Sequence, residues 1–135
     1  DKVTLDLDIP TANATTPNDF LNVKDYSSLF RGLFNASYLN NMSSEKALEI
    51  MTKTEFTQGI VQPIPKNITV SHKFGERHFI DGVNQLPDCG IVYYPNHPYL
   101  VCIMTRGSNF PELEKTIQQI SNKIYSEIDN RYHKK

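Results

Sequence analysis

The sequence predicts an α+β fold: helices first, then a three-stranded antiparallel sheet, then a C-terminal helix packed on that sheet. Three observations carry this expectation. Apolar residues recur at helical spacing between about 23 and 60, and two short runs apolar on both faces follow at Cys89–Tyr94 and Tyr99–Thr105. Near the end, Leu113, Ile117, Ile120, Ile124 and Ile128 step by 4, 3, 4 and 4 along one stripe. At 135 residues the chain is one domain or less, long enough to bury a core. The reading divides it into an extended segment (1–22), a helical part (23–60), three strands (66–105) and a final helix (110–130).

Val3, Leu5 and Leu7 alternate with polar residues before Ile9-Pro10 and a polar run, which reads as an extended segment docked on something else. From about Lys24 to Phe34, Tyr26, Leu29, Phe30 and Leu33 mark a core helix, capped by Asn22 or Asp25 and stopped by a left-handed Asn35. A second helix is expected from Ser43 as N-cap to about Thr52, with a short turn of helix near Glu55–Gln58. Gln62-Pro-Ile-Pro-Lys66 is a rigid connector, because each proline fixes φ and removes a donor.

Ile68, Val70 and His72 then alternate with Thr69, Ser71 and Lys73, the period of a strand, and Gly75 lets another group approach its end. Lys73 and a bare backbone edge would thus share one spot. Arg77–Pro87 reads as a polar loop with a turn at Asp81-Gly82. The two runs after it form a hairpin, and because they are apolar on both sides the sheet should be covered on both faces. The last helix has Asn109, Pro111 and Glu112 at its start and Arg131, His133, Lys134 and Lys135 at its end, as the helix dipole prefers.

A hairpin loop of four residues, Pro95 to Pro98, pairs Tyr94 with Tyr99 and sets Cys102 opposite Ile91. In that register two buried thiols are expected, and a Cys89–Cys102 bridge needs a slip of two residues. A net charge of −1 gives no field to attract nucleic acid or an anionic membrane, and no run is long enough to span a membrane. The four histidines have no metal-ligand spacing and the six glycines form no phosphate loop, so no metal or cofactor is expected. Asn-x-Ser/Thr sequons begin at Asn13, Asn35, Asn41 and Asn67. The chain opens on Asp1 with neither methionine nor signal-peptide pattern, so a processed product or a piece of a longer polypeptide is expected.

His72-Lys73-Phe74-Gly75-Glu76, with helices before it and a hairpin and long helix after it, resembles the Lys-Thr/Ser-Gly box of the class A β-lactamase-like, penicillin-recognising serine hydrolases. The resemblance spans about Asp6 to Tyr125 and covers the C-terminal portion of such an enzyme. It implies catalytic roles for Lys73, as the cation near the nucleophile, and for the backbone N–H of Glu76, as an oxyanion donor. It implies substrate-binding roles for Phe74 and Gly75, with Phe74 standing where the family has a hydroxyl.

The family's Ser-x-x-Lys, Ser-Asp-Asn and deacylating glutamate have no counterpart here. Ser43-Ser-Glu-Lys46 is better read as a helix cap, and Tyr38-Leu-Asn40 and Ser121-Asn-Lys123 as chance matches. The resemblance therefore implies a part of a serine hydrolase acting on β-lactams or related peptide and amide bonds, inactive alone and extracytoplasmic. A non-catalytic binding or structural domain that kept the fold is the alternative. The expected partner is an N-terminal portion of the same fold or, through the edge of the Tyr99–Thr105 strand, a second copy.

Overall fold

The computed structural model describes residues 22–133; the expected Val3–Leu7 extended segment lies outside the described residues. Helix α1 (Val23–Phe34) starts where the Asn22 side chain accepts the Asp25 N–H at 2.9 Å. It stops at Ala36, which takes the left-handed φ of 49° that the sequence assigned to Asn35. Helix α2 (Asn41–Met51) is capped by Asn40, whose side chain accepts the Ser43 N–H at 2.8 Å. The cap is three residues earlier than Ser43, because an amide oxygen there reaches the free N–H groups of the first turn. Residues 55–58 form no helix.

The sheet has four antiparallel strands: β1 (Val70–Phe74), β2 (Arg77–His78), β3 (Asn84–Val92) and β4 (Tyr99–Gly107). β3 pairs with all three others, and the two-residue β2 is the one strand the sequence did not announce. β3 also begins five residues earlier than expected. Asn84, Gln85 and Asp88 look like loop residues, yet each is buried with its side chain bonded. Asn84 Nδ2 donates to Ser108 O at 2.8 Å, and Gln85 Oε1 accepts from Arg106 Nε at 2.7 Å.

Both faces of the sheet are covered, as strands apolar on both sides require. On one face Phe30 and Leu48 of α1 and α2 pack with Cys89 and Ile91. On the other, Leu113 and Ile117 of α3 (Phe110–Tyr132) pack with Ile60, Ile64, Val70, Leu86, Val92 and Val101. Ile117 is fully buried, a contribution of about 1.5–3 kcal/mol. The buried stripe of α3 then runs to Ser121 rather than Ile120, which is 40% exposed. Ser121 Oγ donates to Ile60 O at 2.7 Å, so a hydroxyl fits where an apolar side chain was expected.

The hairpin register differs from the expected one. Val92 pairs with Tyr99, and Cys89 lies directly opposite Cys102, Cα to Cα 4.0 Å, joined to it as a disulfide. The connection is longer because Tyr94 leaves the ladder. Its hydroxyl bonds Asp129 of α3 at 2.9 Å, and the turn closes from His97 N–H to Tyr94 O with Asn96 left-handed at φ 61°.

Two glycines record how closely the segments approach. A Cβ on Gly90 would lie 2.5 Å from His72 Cβ and 2.5 Å from Ser71 O, inside β1. Gly90→Ala is expected to destabilise the fold by about 1–3 kcal/mol in urea denaturation, as overpacking does. Gly32→Ala, in α1 with its nearest contact at 3.7 Å, should instead stabilise by up to about 1 kcal/mol.

Candidate functional site

β1 is an edge strand among the described residues: β3 lies on one side and the other edge is open. Its ladder decides which groups face that opening. Tyr93 N–H donates to Thr69 O at 2.9 Å and Gly75 N–H donates to Pro87 O at 3.0 Å, so odd-numbered residues turn their backbone groups inward to β3. Even-numbered residues turn theirs outward. Accordingly Thr54 Oγ1 donates to His72 O at 2.7 Å, and the Lys73 ammonium donates to Phe74 O at 2.6 Å, both on the open side. Continued two residues past Phe74, the same alternation would turn the Glu76 N–H toward the open edge.

Lys73 is exposed, and its ammonium lies 5.3 Å from the centre of the Phe74 ring. No carboxylate of the described residues forms an ion pair with it. The strand beneath it is fixed on the helical side. Tyr26 Oη donates to Lys73 O at 2.7 Å and Ser71 Oγ to Leu48 O at 2.8 Å. Lys73 also borders an apolar hollow of about 260 Å³ walled by Tyr26, Leu29, Leu33, Leu39 and Met51.

Phe74 points to the opposite face of the sheet, where its ring stacks on Phe56 with centroids 4.0 Å apart. Gly75 has room for a side chain on the inner side: an added Cβ would meet Pro87 Cγ at 3.4 Å, near ordinary contact. Lys73 and Gly75 thus lie at the same end of the edge strand, with the Lys73 ammonium on the Phe74 carbonyl and the Phe74 ring directed away to Phe56. Ser43 stands apart in the first turn of α2, and Lys46 is held by Glu49 at 2.7 Å, so these letters form no nucleophile pair. Asn40 is a helix cap and Ser121 a buried core hydroxyl. Among the described residues no group of three or more His, Cys, Asp or Glu could hold a metal ion.

Sequence reasoning missed the pair directly behind this edge. His72 Nδ1 lies 2.9 Å from Asp88 Oδ1, with side chains 3% and 0% exposed, and Asp88 Oδ2 accepts the Ile60 N–H at 2.8 Å. The signal was present: His72 shares an apolar face with Val70, and Asp88 heads an apolar run, so each needed a buried partner.

A family model described as the beta-lactamase enzyme family matches residues 3–128. No curated protein sequence matches the chain. Among solved structures it is similar to PBP-A, at TM-score 0.74 and 21% identity over 96% of this chain and 50% of that one. It is likewise similar to a mutant of PBP-A solved as an acyl-enzyme complex with penicillin G, at TM-score 0.73 and 22% identity over 96% of this chain and 50% of that one. It is similar to a beta-lactamase from Sphaerobacter thermophilus, at TM-score 0.70 and 19% identity over 89% of this chain and 49% of that one. A class A beta-lactamase from Bacteroides cellulosilyticus aligns at TM-score 0.69 and 17% identity, over 81% and 42%. The chain therefore spans about half the length of these structures or less, and at such identities the likeness concerns the fold.

Burial, and then the charge of Asp88, push the Tyr26 phenol above its ordinary range, while burial pushes Tyr99 up to about 12. The folded chain holds these protons more tightly than the unfolded chain, whose phenols titrate near about 10. That stabilisation is complete below pH ~10 and is lost as pH rises through the folded values, so unfolding free energy should fall between pH ~10 and ~12. Tyr26→Phe should cost about 1 kcal/mol at neutral pH by denaturant titration, the worth of its bond to Lys73 O, and should remove one late-titrating phenol from the absorbance curve.

Proposed function

Because the chain belongs to the beta-lactamase enzyme family, we propose that it supplies the Lys73 wall of an acyl-transfer site acting on β-lactams or related peptide and amide bonds. The observation that carries this reading is the open edge of β1 among the described residues, where an exposed ammonium with no carboxylate partner bonds the Phe74 carbonyl. Acyl transfer needs a nucleophile, a donor for the developing oxyanion, and, for an anionic substrate, a cation to hold it. Lys73 serves as the cation and Glu76 N–H as one oxyanion donor. Gly75 forms the stretch of edge along which an extended substrate lies, and Phe74 contributes through its backbone carbonyl, which fixes the Lys73 ammonium.

The nucleophile comes, on this reading, from an N-terminal portion of the same fold, consistent with a chain half the length of its structural neighbours. The acyl-enzyme complex of a PBP-A mutant with penicillin G supports the substrate class. The Cys89–Cys102 bridge supports an extracytoplasmic location, where disulfides persist. Among the described residues no helix is long and apolar enough to cross a membrane.

A second reading, a non-catalytic binding or structural domain, is favoured by Phe74. Its ring is committed to Phe56, and no hydroxyl stands at that position to help hold a substrate carboxylate. Fluorescent penicillin separates the two. These 135 residues alone should form no covalent adduct. A polypeptide joining them to a portion with Ser-x-x-Lys at a helix start should form one, and Lys73→Ala there should lower kcat/KM by about 10² or more. No adduct in the longer polypeptide supports the binding domain, and unchanged kinetics in Lys73→Ala removes Lys73 from the mechanism.

A further inference from the structure

The β1–β3 ladder is weakest where the candidate site lies. Gly75 stands opposite Pro87 and donates to its carbonyl, but proline has no N–H to return, so the pair that should close this end of the ladder makes one bond instead of two. One step back, the two strands are joined by side chains. His72 on β1 reaches diagonally to Asp88 on β3 at 2.9 Å, and the second carboxylate oxygen ties the Ile60 N–H at 2.8 Å.

The surroundings are shaped for this pair. A Cβ on Gly59 would fall 1.9 Å from Asp88 Oδ2, and one on Gly90 would fall 2.5 Å from His72 Cβ. Both glycines therefore clear space for groups whose apolar replacement would seal the same core without any cross-strand bond. His72 immediately precedes Lys73, and its own carbonyl is held by Thr54 Oγ1 at 2.7 Å.

We propose that His72 and Asp88 are positioning residues for Lys73: their bond replaces the ladder bond lost at Pro87 and fixes the height at which the edge presents the Lys73 ammonium and the Glu76 N–H. The proposal rests on the reading of Lys73 as the cation of the site. Neither residue touches substrate, since both are buried on the face of the sheet opposite the Lys73 side chain.

The test uses the branching of the side chains. Asparagine carries its amide nitrogen on Cγ, as histidine carries Nδ1, and can keep the bond to Asp88; glutamine carries it one bond further out and cannot. The readout is the NMR cross-peak of the Lys73 ammonium, visible while its bond to Phe74 O slows exchange with water, with the exposed Lys115 as internal control. The cross-peak should persist in the unsubstituted chain and in His72→Asn, and be lost in His72→Gln and Asp88→Asn, while the amide signals of β4 hold their dispersion in the asparagine and glutamine variants.

Persistence in a folded His72→Gln chain, or equal loss in His72→Asn and His72→Gln, would overturn the proposal and reduce the pair to core packing. Should Asp88→Asn fail to fold, the contrast between the two His72 variants still decides. The readout needs no turnover, so absence of acyl transfer in the longer polypeptide would refute the hydrolase reading while leaving this result standing.

Discussion

A carboxylate with no exposure to water, that of Asp88, joins three segments distant in sequence: the loop at Ile60, strand β1 through His72, and its own strand β3. An isolated buried charge costs several kcal/mol, and the cost is offset only when its lone pairs are met with good geometry. Here the geometry is met by one backbone N–H and one imidazole nitrogen, and the chain gives up side chains at Gly59 and Gly90 to allow it. Removing either partner would leave the other charge or donor buried and unmatched, which is why so much of the sheet's end is built around one group. The same charge is felt at the Tyr26 phenol, across the sheet on the helical side.

With β1 pinned from behind, its parity determines what the open edge can offer. Inward groups are spent on β3; outward ones are met by Thr54 at His72 and by Lys73 itself at Phe74. The position after Gly75 is where the outward row reaches the end of the strand. The chain belongs to the beta-lactamase enzyme family and shares the architecture of its solved neighbours.

Much of the architecture was legible in the residues. Periodicity gave α1 and α3, two-sided apolar runs gave a sheet covered on both faces, and Lys73 before Gly75 marked the edge. What escaped notice had physical causes. Asn84, Gln85 and Asp88 are polar residues in a buried strand, each satisfied by a partner that no local pattern reveals, so the strand read as a loop. The α2 cap moved to Asn40 because a better-placed side chain outcompeted Ser43. Ser121 took a core position because a carbonyl 61 residues away in sequence meets its hydroxyl. The His72–Asp88 pair spans 16 residues, so although each residue signalled the need for a buried partner, neither identified the other.

The hairpin shows what an apolar pattern leaves undecided. Because the facing arms after Asp88 and before Thr105 are apolar on both sides, sliding one past the other would still bury apolar groups, so hydrophobicity alone specifies their alignment weakly. The covalent link between Cys89 and Cys102, 13 residues apart, removes that freedom. It persists when the rest of the chain is unfolded, and by the entropy of closing a loop of about 15 residues it contributes on the order of 3 kcal/mol. An oxidised chain thus carries a memory of one alignment through denaturation, and β3, the strand against which all the others are measured, returns to the sheet already numbered.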